Sequence, residues 1–276
     1  MNTLQNQVVL VTGSTDGIGK QSAIQLAQMG ATVLVHGRSK EKCETVVKEI
    51  CKRTGNEKVR YYVADFASLS EVRRVAQEII HRETQLNVLI NNAGIGSGKL
   101  SNKQRALSQD GYELRLAVNY LAPFLLTHLL LPLLKSSAPA QVINVASVGQ
   151  QSIDLDNIML SRNYDPFVAY KQSKLALIAF TFHLAERMIS EHVSVNCIHP
   201  GSLLNTKMVR ESIPVALGSA KSGAHSIIHL VMATEQNALT GRYFDQKNES
   251  KAHHQTYDRN FRERLWQLSE HLVGLQ

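Results

Sequence analysis

Tyr170 and Lys174 stand four residues apart in Tyr170-Lys171-Gln172-Ser173-Lys174. On a helix such residues share a face, so the Lys174 ammonium can lie near the Tyr170 phenol. A free phenol titrates near pH ~10, and a neighbouring cation favours its phenolate, which makes the hydroxyl a usable proton donor or acceptor at neutral pH. The spacing alone says little. With 8 Tyr and 15 Lys in 276 residues, roughly half a Tyr-x-x-x-Lys match is expected by accident. A second match stands at Tyr243 to Lys247, so context must separate the two.

Two polar residues upstream supply such context. Ser147 closes the run Val142-Ile143-Asn144-Val145-Ala146, where a serine often only caps a turn but could also hold a carbonyl oxygen beside a tyrosine. Asn119 lies among Leu116, Val118, Leu121 and Phe124 in a long helical stretch. A buried amide there needs a partner, and a satisfied core amide or a kink before Pro123 is the structural alternative.

A third constellation points to a phosphate-bearing ligand. Thr12-Gly13-Ser14-Thr15-Asp16-Gly17-Ile18-Gly19 falls between a strand and a helix, where a dinucleotide pyrophosphate would rest on a helix N-terminus. Its glycines are spaced three and then one residue apart, and Gly19 can bring helix and strand into close packing. At the end of the second strand an acidic side chain would bind a ribose hydroxyl and a basic one a 2′-phosphate. The residues there are His36-Gly37-Arg38-Ser39. With no carboxylate present and Arg38 able to fork onto a phosphate, NADP(H) is favoured over NAD(H). Asp65 and Phe66 follow the third strand, placed to reach an adenine through the carboxylate or neighbouring amides; capping with Ala67-Ser68 is the alternative. Asn92-Ala93-Gly94 follows Val88-Leu89-Ile90, and small residues there let backbone approach a ring.

The elements that must position these groups alternate. Val8 to Thr12, Ala31 to His36, Val59 to Ala64, Val88 to Ile90, Gln141 to Val145 and Val193 to Ile198 read as strands. Between them Ser22 to Met29, Lys40 to Thr54, Ser70 to Arg82 with Ser70 as cap, Tyr112 to Lys135 and Tyr170 to Ile189 read as helices. Buried strands alternating with helices imply a parallel sheet covered on both faces, a doubly wound α/β domain. No linker or repeat interrupts the pattern, so one domain over residues 1–276 is expected. The irregular segments 149–165 and 200–222 follow strand ends, where ligands bind in open sheets.

Composition narrows the remaining classes. The chain is 43% hydrophobic, enough for a substantial core, and no stretch approaches the ~18 consecutive apolar residues of a membrane span. Residues Met1 to Gln7 are polar with no apolar signal core behind them, so the cytoplasm is expected. Cys43, Cys51 and Cys197 show neither disulfide nor zinc spacing, and His253-His254 stands without a second ligand pair, so no metal is expected. The net charge of +7 is spread among acidic residues, which argues against nucleic acid as a partner.

Together these motifs resemble the short-chain dehydrogenase/reductase family, whose single domain has a Rossmann-type nucleotide-binding sheet. The resemblance rests on Thr12 to Gly19, Asn91 to Gly94, Asn119, Ser147, Tyr170 with Lys174, and Pro200-Gly201, in the family's order over about the first 200 residues. Asp110-Gly111-Tyr112-Glu113, Val118-Asn119-Tyr120, Thr240 to Phe244 and Arg264 to Glu270 look like the retinol dehydrogenase and WW-domain oxidoreductase branch. That likeness makes Tyr243 a strand residue. It implies Tyr170 as general acid or base, Lys174 lowering its pKa and binding the nicotinamide ribose, Ser147 positioning the substrate oxygen, and Asn119 supporting a proton-relay water. Asp16 departs from relatives that carry a basic residue in the glycine turn.

The resulting expectation is a dehydrogenase or reductase passing a hydride between NADP(H) and a moderately apolar alcohol or carbonyl. A cofactor-binding scaffold protein with little turnover is the alternative. The loop 201–222 is expected to cover the substrate, with residues 248–276 as a C-terminal tail. The apolar surface of the two long helices predicts a homodimer or homotetramer.

Overall fold

The strand β1, Val8–Val11, is buried on both faces and sorts its side chains by the strand period of two. Val8 and Leu10 enter one hydrophobic core, Val9 and Val11 the other. The computed structural model describes residues 4–98, 104–212, 218–237 and 239–275. After β1 come α1 (Gly17–Gln28), β2 (Thr32–Gly37), α2 (Lys40–Thr54), β3 (Val59–Val63), α3 (Leu69–Arg82) and β4 (Val88–Asn91). Next are α4 (Leu114–Leu116), a π-helical turn (Ala117–Leu121), α5 (Ala122–Ser136), β5 (Ala140–Val145), α6 (Pro166–Met188) and β6 (Val193–His199). The chain closes with β7 (Leu204–Asn205), α7 (Lys207–Ser212), β8 (Gly218–Ser219), α8 (Ala220–Asn237), β9 (Tyr243–Asp245), β10 (Asn248–Ser250) and α9 (Arg259–Val273).

The main sheet has eight strands in the order β3-β2-β1-β4-β5-β6-β9-β10. Its pairings are parallel except β9 with the edge strand β10. This is the doubly wound, Rossmann-type α/β architecture expected from the sequence. From β1 the chain first winds outward through β2 and β3, then returns to place β4 on the other side of β1. Strand order therefore reverses between β1 and β4, and a crevice opens at their C-terminal ends.

One core face is built with α3, α5 and α6, the other with α1, α2 and α8. A polar chain crosses the first face. Asn91 donates to Thr127 at 3.0 Å and to Asn144 at 2.8 Å, and Asn144 donates to Thr181 at 2.8 Å. In a low-dielectric interior such bonds are directional, so β4 and β5 are tied in a fixed orientation to α5 and α6.

Several boundaries differ from those read in the sequence. Helix α1 starts at Gly17 because Asp16 caps it, α3 is capped by Ser68 rather than Ser70, and the stretch read from Tyr112 contains a π-helical turn over residues 117–121. Asp165 caps α6 through the Phe167 and Val168 amides at 2.8 and 3.0 Å, with Pro166 at its first position, so this helix begins four residues before Tyr170. No run of ~18 consecutive apolar residues occurs, yet one helical stretch passes on mean hydropathy. Leu114–Ser136 is long and apolar enough by length and composition, and it is mostly buried within the fold. The expectation of a cytoplasmic protein therefore finds no support in the structure.

Helix α9 packs over α5 and α6 through Phe261, Leu265 and Trp266. The indole of Trp266 lies 5.3 Å from the Phe124 ring and 6.0 Å from Phe180, and Tyr120 and Ser269 share a 2.6 Å hydrogen bond. Part of the apolar surface read as a subunit face is thus covered within the chain.

Candidate active site

Gly13 turns the chain at the end of β1 with φ +64°, and a Cβ there would fall 2.8 Å from the Ala93 Cα. Gly19 is equally confined, since a Cβ would lie 2.5 Å from the Gly13 carbonyl oxygen and against the Asn92 amide. These positions let the β1–α1 turn close onto Asn92 and Ala93. Thr12 Oγ1 accepts both of their backbone N–H groups at 2.9 Å, while Asn92 Nδ2 donates back to the carbonyls of Thr12 at 2.8 Å and Gly13 at 3.2 Å. Within the turn Ser14 faces inward, its hydroxyl bonded to the Val11 carbonyl at 2.7 Å, and Asp16 accepts the Gly17 N–H at 2.7 Å. Thr15 lies where a Cβ on Gly37 would meet its Cγ2 at 2.5 Å, and Ile18 packs beside Gly223. The first glycine turn therefore abuts the ends of both β2 and β4.

Beyond β2 the Arg38 side chain is exposed and makes no ion pair with the described residues. A cation here is free to meet an anionic ligand. Asp65 accepts the Ala67 N–H at 3.0 Å in a turn ahead of the Ser68 cap, while the Phe66 ring is buried and stacks on His36 at 4.4 Å between centroids. His36 is a site residue that sequence reasoning passed over. Its Nδ1 accepts the Gly13 N–H at 3.1 Å and its carbonyl accepts the Ser14 N–H at 2.9 Å, so it pins the glycine turn from below. Burial lowers its pKa to about 4, which keeps the ring neutral and Nδ1 able to accept.

On the other side of the crevice, α6 carries Tyr170 and Lys174. Lys174 is buried, donates from Nζ to the Val145 carbonyl at 2.8 Å and lies 6.0 Å from the Tyr170 ring centroid. Burial brings its pKa down to about 8. Tyr170 behaves differently from the expectation that Lys174 lowers its pKa. Desolvation pushes the phenol above its ordinary value, and a hydrogen bond with Ser147 pulls it back only in part. The ammonium is turned toward Val145, and the phenol stays protonated at neutral pH.

Ser147 is held at the end of β5. Its hydroxyl accepts the Gly149 N–H at 3.0 Å, and its carbonyl accepts from Gln150 at 3.1 Å and from the Tyr243 hydroxyl at 3.2 Å. Tyr243 is a strand residue as expected, yet it supports this site from β9. Asn119 sits in the π-helical turn with its amide fully engaged. It accepts the Ile95 N–H at 2.8 Å and donates to the Ile95 carbonyl and the Ser173 hydroxyl, both at 3.0 Å. Gly94 passes between these groups, since a Cβ there would be 3.1 Å from Asn119 Oδ1 and 3.6 Å from Lys174 Nζ.

Pro200 and Gly201 follow β6, and Gly201 has φ +134°. The segment beyond folds onto the crevice: Thr206 approaches Gly17, and Met208 lies where a Cβ on Gly96 would sit 2.9 Å from its Cγ. Part of the expected substrate-covering loop, residues 213–217, lies outside the described residues. The described part is ordered by β7, α7 and β8 rather than irregular.

The crevice thus holds a protonated phenol beside a serine hydroxyl, a buried amine, and a glycine turn with an exposed arginine at its flank. Such an arrangement can bind a dinucleotide along one wall and donate a proton to an oxygen at the other.

Residues 7–216 match the family described as short chain dehydrogenase. Human retinol dehydrogenase 13 is 36% identical over 99% of this chain and 86% of its own length, and human polyprenol dehydrogenase 34% identical over 98% and 86%. Among solved structures, an uncharacterized protein from Mycobacterium paratuberculosis superposes with a TM-score of 0.81 at 29% identity, covering 99% of this chain and 96% of that one. A short chain dehydrogenase of Shigella flexneri complexed with NADP gives 0.72 at 28% identity, covering 90% and 99%.

Proposed function

The chain belongs to the short chain dehydrogenase family, and from that premise we propose that it is an NADP(H)-dependent oxidoreductase interconverting a carbonyl compound and an alcohol. The observation that carries this reading is the Tyr170 phenol, hydrogen-bonded to Ser147 at the end of β5 and one helical turn from Lys174. The dinucleotide, when bound, supplies or accepts the hydride. In reduction Tyr170 gives its proton to the carbonyl oxygen as negative charge develops there, and the Ser147 hydroxyl donates to the same atom. In oxidation the phenolate form of Tyr170 takes the alcohol proton. Asn119 orders the Ile95 backbone beside this centre and serves the relay that returns a proton to Tyr170.

Dinucleotide binding falls to residues along the crevice. Gly13, Ser14, Thr15, Asp16, Gly17, Ile18 and Gly19 cradle the pyrophosphate, and Arg38 meets the 2′-phosphate. Asp65 and Phe66 border the adenine; Asn92, Ala93 and Gly94 border the adjoining ribose. Lys174 and Tyr170 hold the nicotinamide ribose, with Pro200 and Gly201 beside the ring. Support for NADP(H) over NAD(H) comes from the exposed Arg38, from the absence of a carboxylate beside it, and from similarity to an NADP-complexed dehydrogenase. A moderately apolar substrate, retinoid- or steroid-like, is supported by the retinol and polyprenol dehydrogenases among the relatives. Purified protein supplied with NADPH and a panel of apolar aldehydes and ketones should consume NADPH. Absence of both turnover and NADPH binding would overturn the reading.

A further inference from the structure

Arg115 is a buried guanidinium whose contacts fall outside the proton-transfer centre and join residues 96–97, Glu113 and Tyr164. It is 8% exposed and Glu113 is 1% exposed. Its Nε donates to the Gly96 carbonyl at 3.0 Å, and Nη2 to the Ser97 carbonyl at 2.5 Å. Nη1 reaches Glu113 Oε1 at 3.3 Å and the Tyr164 hydroxyl at 2.7 Å. Tyr164 in turn donates to Glu113 Oε1 at 3.1 Å, and the other Glu113 oxygen accepts the Leu116 N–H at 2.8 Å. Burial and the Glu113 carboxylate push the Tyr164 phenol up to about 12, so its proton stays in place to make that bond. Gly98, at φ +83°, wraps the chain around the guanidinium, where a Cβ would stand 3.3 Å from Nη2.

Two of these contacts lead toward the reacting centre. Segment 95–98 follows directly on Asn92-Ala93-Gly94, and Met208 lies against Gly96. Arg115 and Asn119 lie four residues apart, and between them they hold the backbone of three consecutive residues, Ile95, Gly96 and Ser97. Tyr164 immediately precedes Asp165, the cap of the helix that carries Tyr170. A planar guanidinium can bridge all of these at once, whereas an ammonium has only a point of charge to offer. The glycine turn, by contrast, is held by Thr12, His36 and Asn92 and receives nothing from Arg115.

We propose that Arg115 is a positioning residue for the substrate, fixing the wall formed by residues 95–98 against the Tyr164 segment while leaving dinucleotide binding untouched. The proposal rests on the oxidoreductase reading above. Removing the guanidinium leaves Glu113 buried without its cation, so Arg115→Met is paired with Arg115→Lys, which keeps the charge but not the fork, and with Tyr164→Phe, which removes one hydroxyl.

Steady-state kinetics with NADPH and the best carbonyl substrate should show KM for the carbonyl rising tenfold or more in Arg115→Met. Arg115→Lys and Tyr164→Phe should show smaller rises in the same direction. In all three, kcat and the NADPH dissociation constant should stay within about twofold of the parent. An unchanged KM, or a parallel loss of NADPH binding in the two conservative variants, would overturn the proposal. Hydrogen–deuterium exchange reads the clamp without turnover. Amides of 95–98 and of 162–165 should exchange at least tenfold faster together in Arg115→Met, and unaltered exchange would overturn the proposal even if no carbonyl substrate is turned over. Failure of the oxidoreductase reading would instead leave the exchange result intact and abolish turnover in the parent protein.

Discussion

His36 shows how a single residue can support a ligand site without touching the reacting atoms. Its Nδ1 accepts the Gly13 N–H only while the ring is neutral, and burial with Phe66 stacked against it keeps it so. The folded pKa of about 4 lies below the unfolded value of 6.5, so the unfolded chain binds the proton first as pH falls. The stability this residue contributes is complete above pH 6.5 and is lost progressively toward pH 4. The loss amounts to about 3 kcal/mol over that window. Thermal melts across it should show the parent protein losing stability more steeply than His36→Asn, and equal slopes would contradict the assignment. The placement of Ser147 at a strand end and of Tyr170 and Lys174 one turn apart on a helix was legible in the sequence, because strand runs and helical spacing fix both. His36 was not, because a histidine in a strand acquires its role only from the turn that folds back over it.

At the scale of elements, what positions the chemistry is the way helix ends and strand ends meet. Helix α6 starts at Pro166 rather than Tyr170, and Asp165-Pro166 is the helix-start signal that marks it. The π-helical turn at Ala117–Leu121 had only Pro123 as a hint, and a proline in the first turn of α5 does not by itself specify a wider turn before it. Helix α9 was read as a tail, yet it docks by Trp266, which meets Phe124 and Phe180 and lies beneath the Arg187 guanidinium at 4.3 Å. Trp266→Ala should cost about 3 kcal/mol, the low end for a buried tryptophan because its indole N–H has no partner among the described residues. Chemical denaturation measures this directly, and a loss below about 1 kcal/mol would show that α9 is not seated as described.

For the molecule as a whole, alternating strands and helices made the doubly wound sheet legible, since only a parallel sheet covered on both faces buries so many two-sided apolar strands. The reversal of strand order between β1 and β4 was not legible, because pairing partners are set by tertiary packing rather than by composition. A homodimer or homotetramer remains part of the proposal, but α9 already occupies part of the apolar surface of α5 and α6. Light scattering of the purified protein should give a dimer or tetramer mass, and a monomeric mass would contradict the proposed assembly. The central claim is that Tyr170 transfers the proton while the glycine turn holds the dinucleotide. The most direct test compares the parent protein with Tyr170→Phe for carbonyl-dependent NADPH consumption and for NADPH binding. In Tyr170→Phe kcat should fall by about 10²–10⁴-fold while NADPH affinity changes far less, since only one of the groups holding the dinucleotide is lost; unchanged turnover would place the proton donor elsewhere.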